Sequence, residues 1–234
     1  MRYISAIIKE QNNRGCFGLP EQLRKGMYGL KRTKRKIWLW LLPAVAAALV
    51  CCIWAYLLRG SRRIRAERDI LPDEMVFYNQ LDGRWKEDRL GASGYDMESS
   101  GCLTTCIAMI TGLQDVPQSF DPGELNALFS DEQCYDAEGN LQWGEVERAL
   151  SVTAVRRGPM EGRELEELLL EGVYPIVRVR MHGLGAYHYV LLVGSCDGEF
   201  LCIDPLNREK KPLGLSGFGN RIYAVRYLEE GKGR

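Results

Sequence analysis

Apolar residues follow three textures along this chain. The first is a continuous run, IWLWLLPAVAAALVCCIWAYLL, from Ile37 to Leu58, 22 residues without a charge. A helix of that length covers roughly 30 Å, the thickness of a bilayer's hydrocarbon core. The run is apolar on every side, unlike an amphipathic core helix, and predicts a transmembrane helix over residues 37–58. Trp38, Trp40, Trp54 and Tyr56 lie near its ends, where aromatic belts form, and Pro43 sits in the first two turns, where a kink is tolerated.

The second texture begins near Met75 and has helical spacing. SSGCLTTCIAMITGL, residues 99–113, predicts a helix capped by Ser99 or Ser100 and ended by Gly112, with Leu103, Cys106, Ile107 and Ile110 facing a core. Residues 121–129 open on an Asp cap with proline at the first helical position. Residues 142–150 and 161–172 give two more helices. The third texture alternates. YPIVRVRM, residues 174–181, predicts a strand. YHYVLLVGSC and EFLCIDP flank Asp197-Gly198, a two-residue hairpin signal, and RIYAVRYL, residues 221–228, closes the set. Helices followed by an antiparallel sheet predict an α+β domain. The expected organisation is a basic tail over 1–36, the apolar helix over 37–58, a charged linker or stalk over 59–74, the domain over 75–228 and a tail over 229–234.

Formal net charge is zero, so nothing draws the whole chain to nucleic acid. The positive charge crowds around the apolar run. Before it stand Arg24, Lys25, Lys31, Arg32, Lys34, Arg35 and Lys36; after it stand Arg59, Arg62, Arg63, Arg65 and Arg68, mixed with Glu67 and Asp69. The larger basic group predicts a cytoplasmic N-terminus and a single pass, with the domain outside. RGSRR after Leu58 is a poor cleavage context, so an uncleaved anchor is expected, and Met27 would serve as an alternative start. Of eight cysteines, five (Cys102, Cys106, Cys134, Cys196 and Cys202) follow the run, an odd number that leaves at least one thiol unpaired outside the cell. No paired CxxC suggests a zinc site, and no cofactor is implied.

Cys102 falls in the first turn of a helix, where free N–H groups and the helix dipole favour a thiolate, and Gly101 before it keeps the approach open. The chain has two histidines. His188 opens an apolar strand and is the candidate base. His182, in the glycine-rich MHGLG, reads as a loop residue. A hairpin turning at Asp197-Gly198 levels His188 with residue 207, near Asp204, the candidate orienter of the imidazole. Gln80, in FYNQLDGRW, is a candidate oxyanion donor beside the Cys102 N–H.

YNQLDGRWKEDRLG, ESSGCLTTCIAMITG and YHYVLLVGSCDGEFLCIDP together resemble the C-39-like cysteine peptidases, relatives of the bacteriocin-processing peptidases that cut after a double glycine. The resemblance covers roughly residues 75–228. It implies a papain-like fold and the family order Gln, Cys, His, Asp, here Gln80, Cys102, His188 and Asp204, with Trp85 and Gly91 as packing and turn residues of the first motif. It also implies a peptide or protein substrate. Leu103 stands where members often carry glycine, and Cys106 where a small residue is usual. No ATPase or multi-helix transporter accompanies the domain, which points away from an export-coupled leader peptidase. Two other readings stay open: a cell-wall peptide hydrolase or acyl transferase using the same residues, and a non-catalytic peptide-binding module on a peptidase fold. The oligomeric state is not legible.

Overall fold

The computed structural model describes residues 40–231 except 42, 73 and 115. The chain divides into two compact units, Met1–Leu58 and Arg59–Arg234. In the first, residues 43–57 are helical. Residues 37–39 and 42 of the expected membrane span lie outside the described residues, as do tail positions 1–36 and 232–234. Among the described residues no helix is long and apolar enough to cross a membrane.

The second unit is a mixed α+β domain. In chain order it contains β1 (Arg62–Arg63), α1 (Met97–Ser100), α2 (Cys102–Leu113), α3 (Pro122–Asp131), α4 (Trp143–Leu150), β2 (Val152–Arg157), α5 (Gly162–Leu170), β3 (Ile176–Arg180), β4 (Tyr187–Cys196), β5 (Glu199–Ile203), β6 (Leu213–Gly214), β7 (Arg221–Ile222) and β8 (Ala224–Glu230). Six strands form an antiparallel sheet in the order β2-β8-β3-β4-β5-β6, and β1 pairs with β7. One core lies between the helices and the sheet, built on Ile107, Ile110, Phe129, Val146, Ile176 and Leu191. A second, with Leu165, Val190, Leu192, Phe200 and Val225, fills the other face.

Helix starts follow local chemistry, with one difference from expectation. Ser99 does not cap the Cys102 helix. It closes a capping box with Asp96 around the short α1, and α2 begins at Gly101 with no side-chain cap. At its other end α2 runs through Gly112 to Leu113. A Cβ at Gly112 would lie 3.1 Å from Val76 Cγ2, so the glycine admits the passing segment instead of ending the helix. Asp121 and Glu124 form the expected capping box on α3, with Pro122 in its first turn.

β2 was absent from the sequence expectation. Its alternation is brief, with Val152 and Ala154 buried around an exposed Thr153, and it then runs into two arginines. Pairing with the last strand supplies the stability that so short a pattern lacks. Residues 62–70, charged and expected as linker, run along the sheet. Ile64 and Ala66 are buried. Ile70 and Ser195 exchange backbone hydrogen bonds of 2.9 and 2.8 Å. The fully buried Glu166 accepts the backbone N–H groups of Glu67 and Arg68. Alternate apolar positions suffice to bury such a strap, although its other side chains are charged.

The hairpin at Asp197-Gly198 has positive φ at both turn residues, 52° and 78°, as its twist requires. Cys196 pairs with Glu199, Ser195 with Phe200 and Gly194 with Leu201. A bulge then shifts the ladder by one, so that Leu192 pairs with Cys202 and Leu191 with Ile203.

Candidate active site

Cys102 is the first residue of α2, a helix whose next turns are wholly buried from Thr104 to Thr111. Its own side chain is half-buried. The break that exposes it depends on Gly101. A Cβ there would come 2.5 Å from Met97 O and 2.8 Å from Met97 Sδ, so no larger residue joins α1 to α2 at this spacing. The first N–H groups of α2 have no carbonyl a turn earlier in their own helix, and their partial positive charge faces the sulfur. Behind it, the Tyr135 hydroxyl links Thr104 to Asn126, each at 2.9 Å, locking α2 to α3.

His188 and Asp204 meet because of the bulge. Residues directly opposite in a ladder share a face, and a one-residue slip exchanges faces. Carried on unbroken from the turn, the pairing levels His188 with residue 207 and sends Asp204 to the opposite face. The slip between Leu192 and Gly194 levels His188 with residue 206 instead, and Asp204, two residues before it, then shares the His188 face. The expectation of nearness therefore holds through a different register. The result is a hydrogen bond of 2.7 Å between His188 Nε2 and Asp204 Oδ1, both residues buried. Asp204 Oδ1 also accepts the Leu206 N–H at 2.8 Å, which fixes the carboxylate.

The Cys102 side chain acts on the same imidazole and raises its pKa. With Nε2 occupied by Asp204, Nδ1 is the nitrogen left for the sulfur. Burial drives the His188 pKa down, but the hydrogen bond to Asp204, the neighbouring Cys102 side chain, and then the charges of those two groups outweigh it and hold the pKa at about 9. The pocket thus favours the imidazolium form of His188. Since this value lies above that of an unfolded histidine, near 6.5, the stabilisation is complete below about pH 6.5 and is lost as pH rises through about 9. Denaturant melts of the wild type and of His188→Ala should show a stability gap that shrinks between those two pH values. A gap that widens with pH would contradict this charge assignment.

Gln80 lies against both loops of the site. Its backbone N–H donates to Pro205 O at 2.9 Å, and its side-chain Nε2 donates to Glu98 O at 2.9 Å, in the turn before Cys102. The Glu98 carbonyl fixes the amide orientation, since a flipped amide would face oxygen with oxygen. One Nε2 hydrogen remains beyond that bond, and the buried Oε1 has no partner among the described residues. Trp85 is 1% exposed and donates its indole N–H to Asn79 O, steadying the Gln80 segment. Gly91 has φ +56°, as a turn glycine, and packs on Tyr135. His182 is exposed with φ 50° and takes no part in the His188–Asp204 pair.

The remaining cysteines of the domain are thiols of another kind. Burial pushes the Cys106 and Cys202 thiols well up, and Cys134 to about 11. The Asp197 charge raises Cys196. Cys106 is fully buried one turn after Cys102, with its sulfur 3.6 Å from Tyr189 O. All seven described cysteines are unpaired.

A groove opens beside Cys102, walled by Leu103, Tyr135, Leu141, Trp143, Tyr189 and Arg226. None of these walls except Leu103 drew notice in the sequence. Tyr189 had a usable signal, as the neighbour of His188 in a strand, but Arg226 comes beside the groove only through the order of the sheet.

No protein-family model matches the chain, and no curated protein matches it. Among solved structures, the chain is similar to one described as a "putative C39-like peptidase" from Bacillus anthracis, at 14% identity and a TM-score of 0.46, covering 71% of this chain and 100% of that one.

Proposed function

We propose that this chain is a cysteine peptidase that hydrolyses peptide bonds. One observation carries the reading: a buried imidazole hydrogen-bonded to a buried carboxylate is acted on by a thiol at a helix start. Papain-like chemistry asks for that constellation. The Cys102 sulfur gives its proton to His188 Nδ1 and, as thiolate, attacks the carbonyl carbon of the substrate amide. The oxyanion is held by the Cys102 backbone N–H and the second Nε2 hydrogen of Gln80. The imidazolium returns its proton to the leaving amine, the C–N bond breaks, and a thioester remains. Water, deprotonated by His188, then attacks the thioester and releases the acid and the thiol. Asp204 holds the ring throughout.

Iodoacetamide labelling at neutral pH, mapped by peptide mass spectrometry, tests this reading. Cys102 should react well before Cys106, Cys134, Cys196 and Cys202, whose thiols are pushed up. Peptide-library hydrolysis should vanish in Cys102→Ala. Equal, slow labelling of all five would remove the basis for a nucleophile.

The proposal includes a single membrane pass through residues 37–58, with the N-terminus cytoplasmic and the peptidase domain outside. Its support is the 22-residue uncharged run and the basic residues before it. Reporter fusions at the two termini distinguish this topology from its inverse and from a chain with no membrane span.

A further inference from the structure

Charge along the sheet is not used by the mechanism above. Five arginines elsewhere on the domain have carboxylate partners: Arg62 with Glu161, Arg68 with Glu167, Arg84 with Asp82, Arg148 with Glu145 and Arg163 with Glu67; others, Arg65, Arg89 and Arg208 among them, have none among the described residues. Among the described residues, Arg156, Arg178 and Arg226 have none within ion-pair distance. Arg156 and Arg226 stand directly opposite each other across β2 and β8. Arg178 is level with Ala224 in β8 and with Tyr189 in β4. Opposed and alternate residues share a face, so Arg156, Arg226, Arg178 and Tyr189 all lie on one face of the sheet. The row leads from the groove beside Cys102, which Tyr189 and Arg226 line, out to an edge strand.

Like charges opposed across a sheet are unfavourable. Arg226 is affected by this crowding: burial lowers its pKa, Tyr189 works the other way, and the charges of Arg178 and Arg156 lower it further. Its Nη1 donates only to the Arg157 and Val225 carbonyls. The Arg178 guanidinium lies 4.4 Å over the Tyr187 ring, and its buried Nε has no partner among the described residues. Neighbouring Arg180 is already committed to Gly185 O and the Tyr187 hydroxyl. The nearby acids form no ion pair with these arginines among the described residues. Half-buried Glu147 spends its carboxylate on the Ala154 N–H at 2.9 Å, Glu138 is exposed in a turn at the groove, and Glu229 and Glu230 sit at the far end of β8, paired with Thr153 and Val152.

We propose that the Arg178–Arg226–Arg156 row binds acidic side chains of the peptide that Cys102 cleaves, so that the substrate is an extended, carboxylate-rich segment. Three strands spaced about 4.8 Å apart give a row roughly 10 Å long, the reach of about three extended residues. The statement rests on the peptidase reading, but its test does not. A fluorescein-labelled peptide rich in glutamate and its glutamine isostere are titrated into the Cys102→Ala protein and followed by anisotropy. The glutamate peptide should bind at least about tenfold tighter at low salt, with the advantage fading toward 1 M salt. Arg156→Glu, at an exposed position, should weaken it roughly tenfold, Arg156→Lys should restore most of the affinity, and Arg163→Glu should change nothing. Thermal melts confirm that each variant is folded. Equal affinity for the two peptides overturns the proposal, as does an equal loss in Arg163→Glu. Tighter binding of a single-stranded DNA of matched charge also overturns it, by pointing to nucleic acid. Slow iodoacetamide labelling of Cys102 in the wild type would instead overturn the peptidase reading and leave this result standing by itself.

Discussion

His188→Ala should lower peptide cleavage by roughly 10³-fold or more at neutral pH, within the range that positioned acid–base groups supply. The imidazole takes the proton of Cys102 and returns it to the leaving amine, so its removal affects both halves of acylation. The same variant should slow iodoacetamide labelling of Cys102, because the cation that stabilises the thiolate is gone. Asp204→Asn separates charge from orientation. The amide oxygen can still accept the Nε2 hydrogen bond, while the negative charge is lost. Cleavage should fall by about tenfold, much less than in His188→Ala, and the alkaline limb of the rate profile should move down from about pH 9, because the Asp204 charge that helps raise the imidazole's pKa is missing. Asp204→Ala should cost more than Asp204→Asn, since it leaves the ring unanchored in a buried pocket. If all three variants cleave peptides at the wild-type rate, His188 is a packing residue and the mechanism fails at its first step.

Much of this arrangement could be read in the sequence, for physical reasons that differ by element. The buried face of α3 repeats every three to four residues and its Asp121 cap is a local signal, whereas α2, buried on every side from Thr104 to Thr111, was located by the helical spacing of its apolar side chains alone. The Asp197-Gly198 turn fixed the hairpin because positive φ at two successive positions restricts the residues that fit. What could not be read was long-range. β2 offers too little alternation to stand out and is stabilised by a partner some seventy residues later. The charged strap over residues 62–70 looks like linker until Ile64, Ala66 and Ile70 find their places on the sheet. Ser99 looked like the cap of the Cys102 helix because nothing local shows that Asp96 starts a separate turn ahead of it. The candidate triad lies between these cases. Its residue types were legible, but the face on which Asp204 emerges depended on a bulge, and only Gly194 hinted at one.

That glycine gives the second large expected effect. A Cβ at Gly194 would lie 2.3 Å from Ile70 O and 3.1 Å from Pro72 Cδ. The first contact is with backbone that is itself held by the paired Ile70–Ser195 hydrogen bonds, so no side-chain rotation can relieve it. Gly194→Ala must therefore either lift the strap or move the bulge. Lifting the strap exposes Ile64 and Ala66 and breaks the Glu166 contacts to Glu67 and Arg68, a loss of about 2–4 kcal/mol by the usual cost of such changes. For a domain of this size that corresponds to a melting temperature lower by very roughly 5–15 °C. Moving the bulge is worse for chemistry than for stability, because a restored register would turn Asp204 away from His188. The two outcomes separate experimentally. A lifted strap gives new protease cuts within residues 59–72 and leaves cleavage chemistry largely intact in the folded fraction. A shifted register leaves the strap protected and lowers the cleavage rate as Asp204→Ala does. Wild-type melting and wild-type cleavage together would mean that the close approach at Gly194 is not required, and that the register bringing His188 to Asp204 is held by other contacts along β4 and β5.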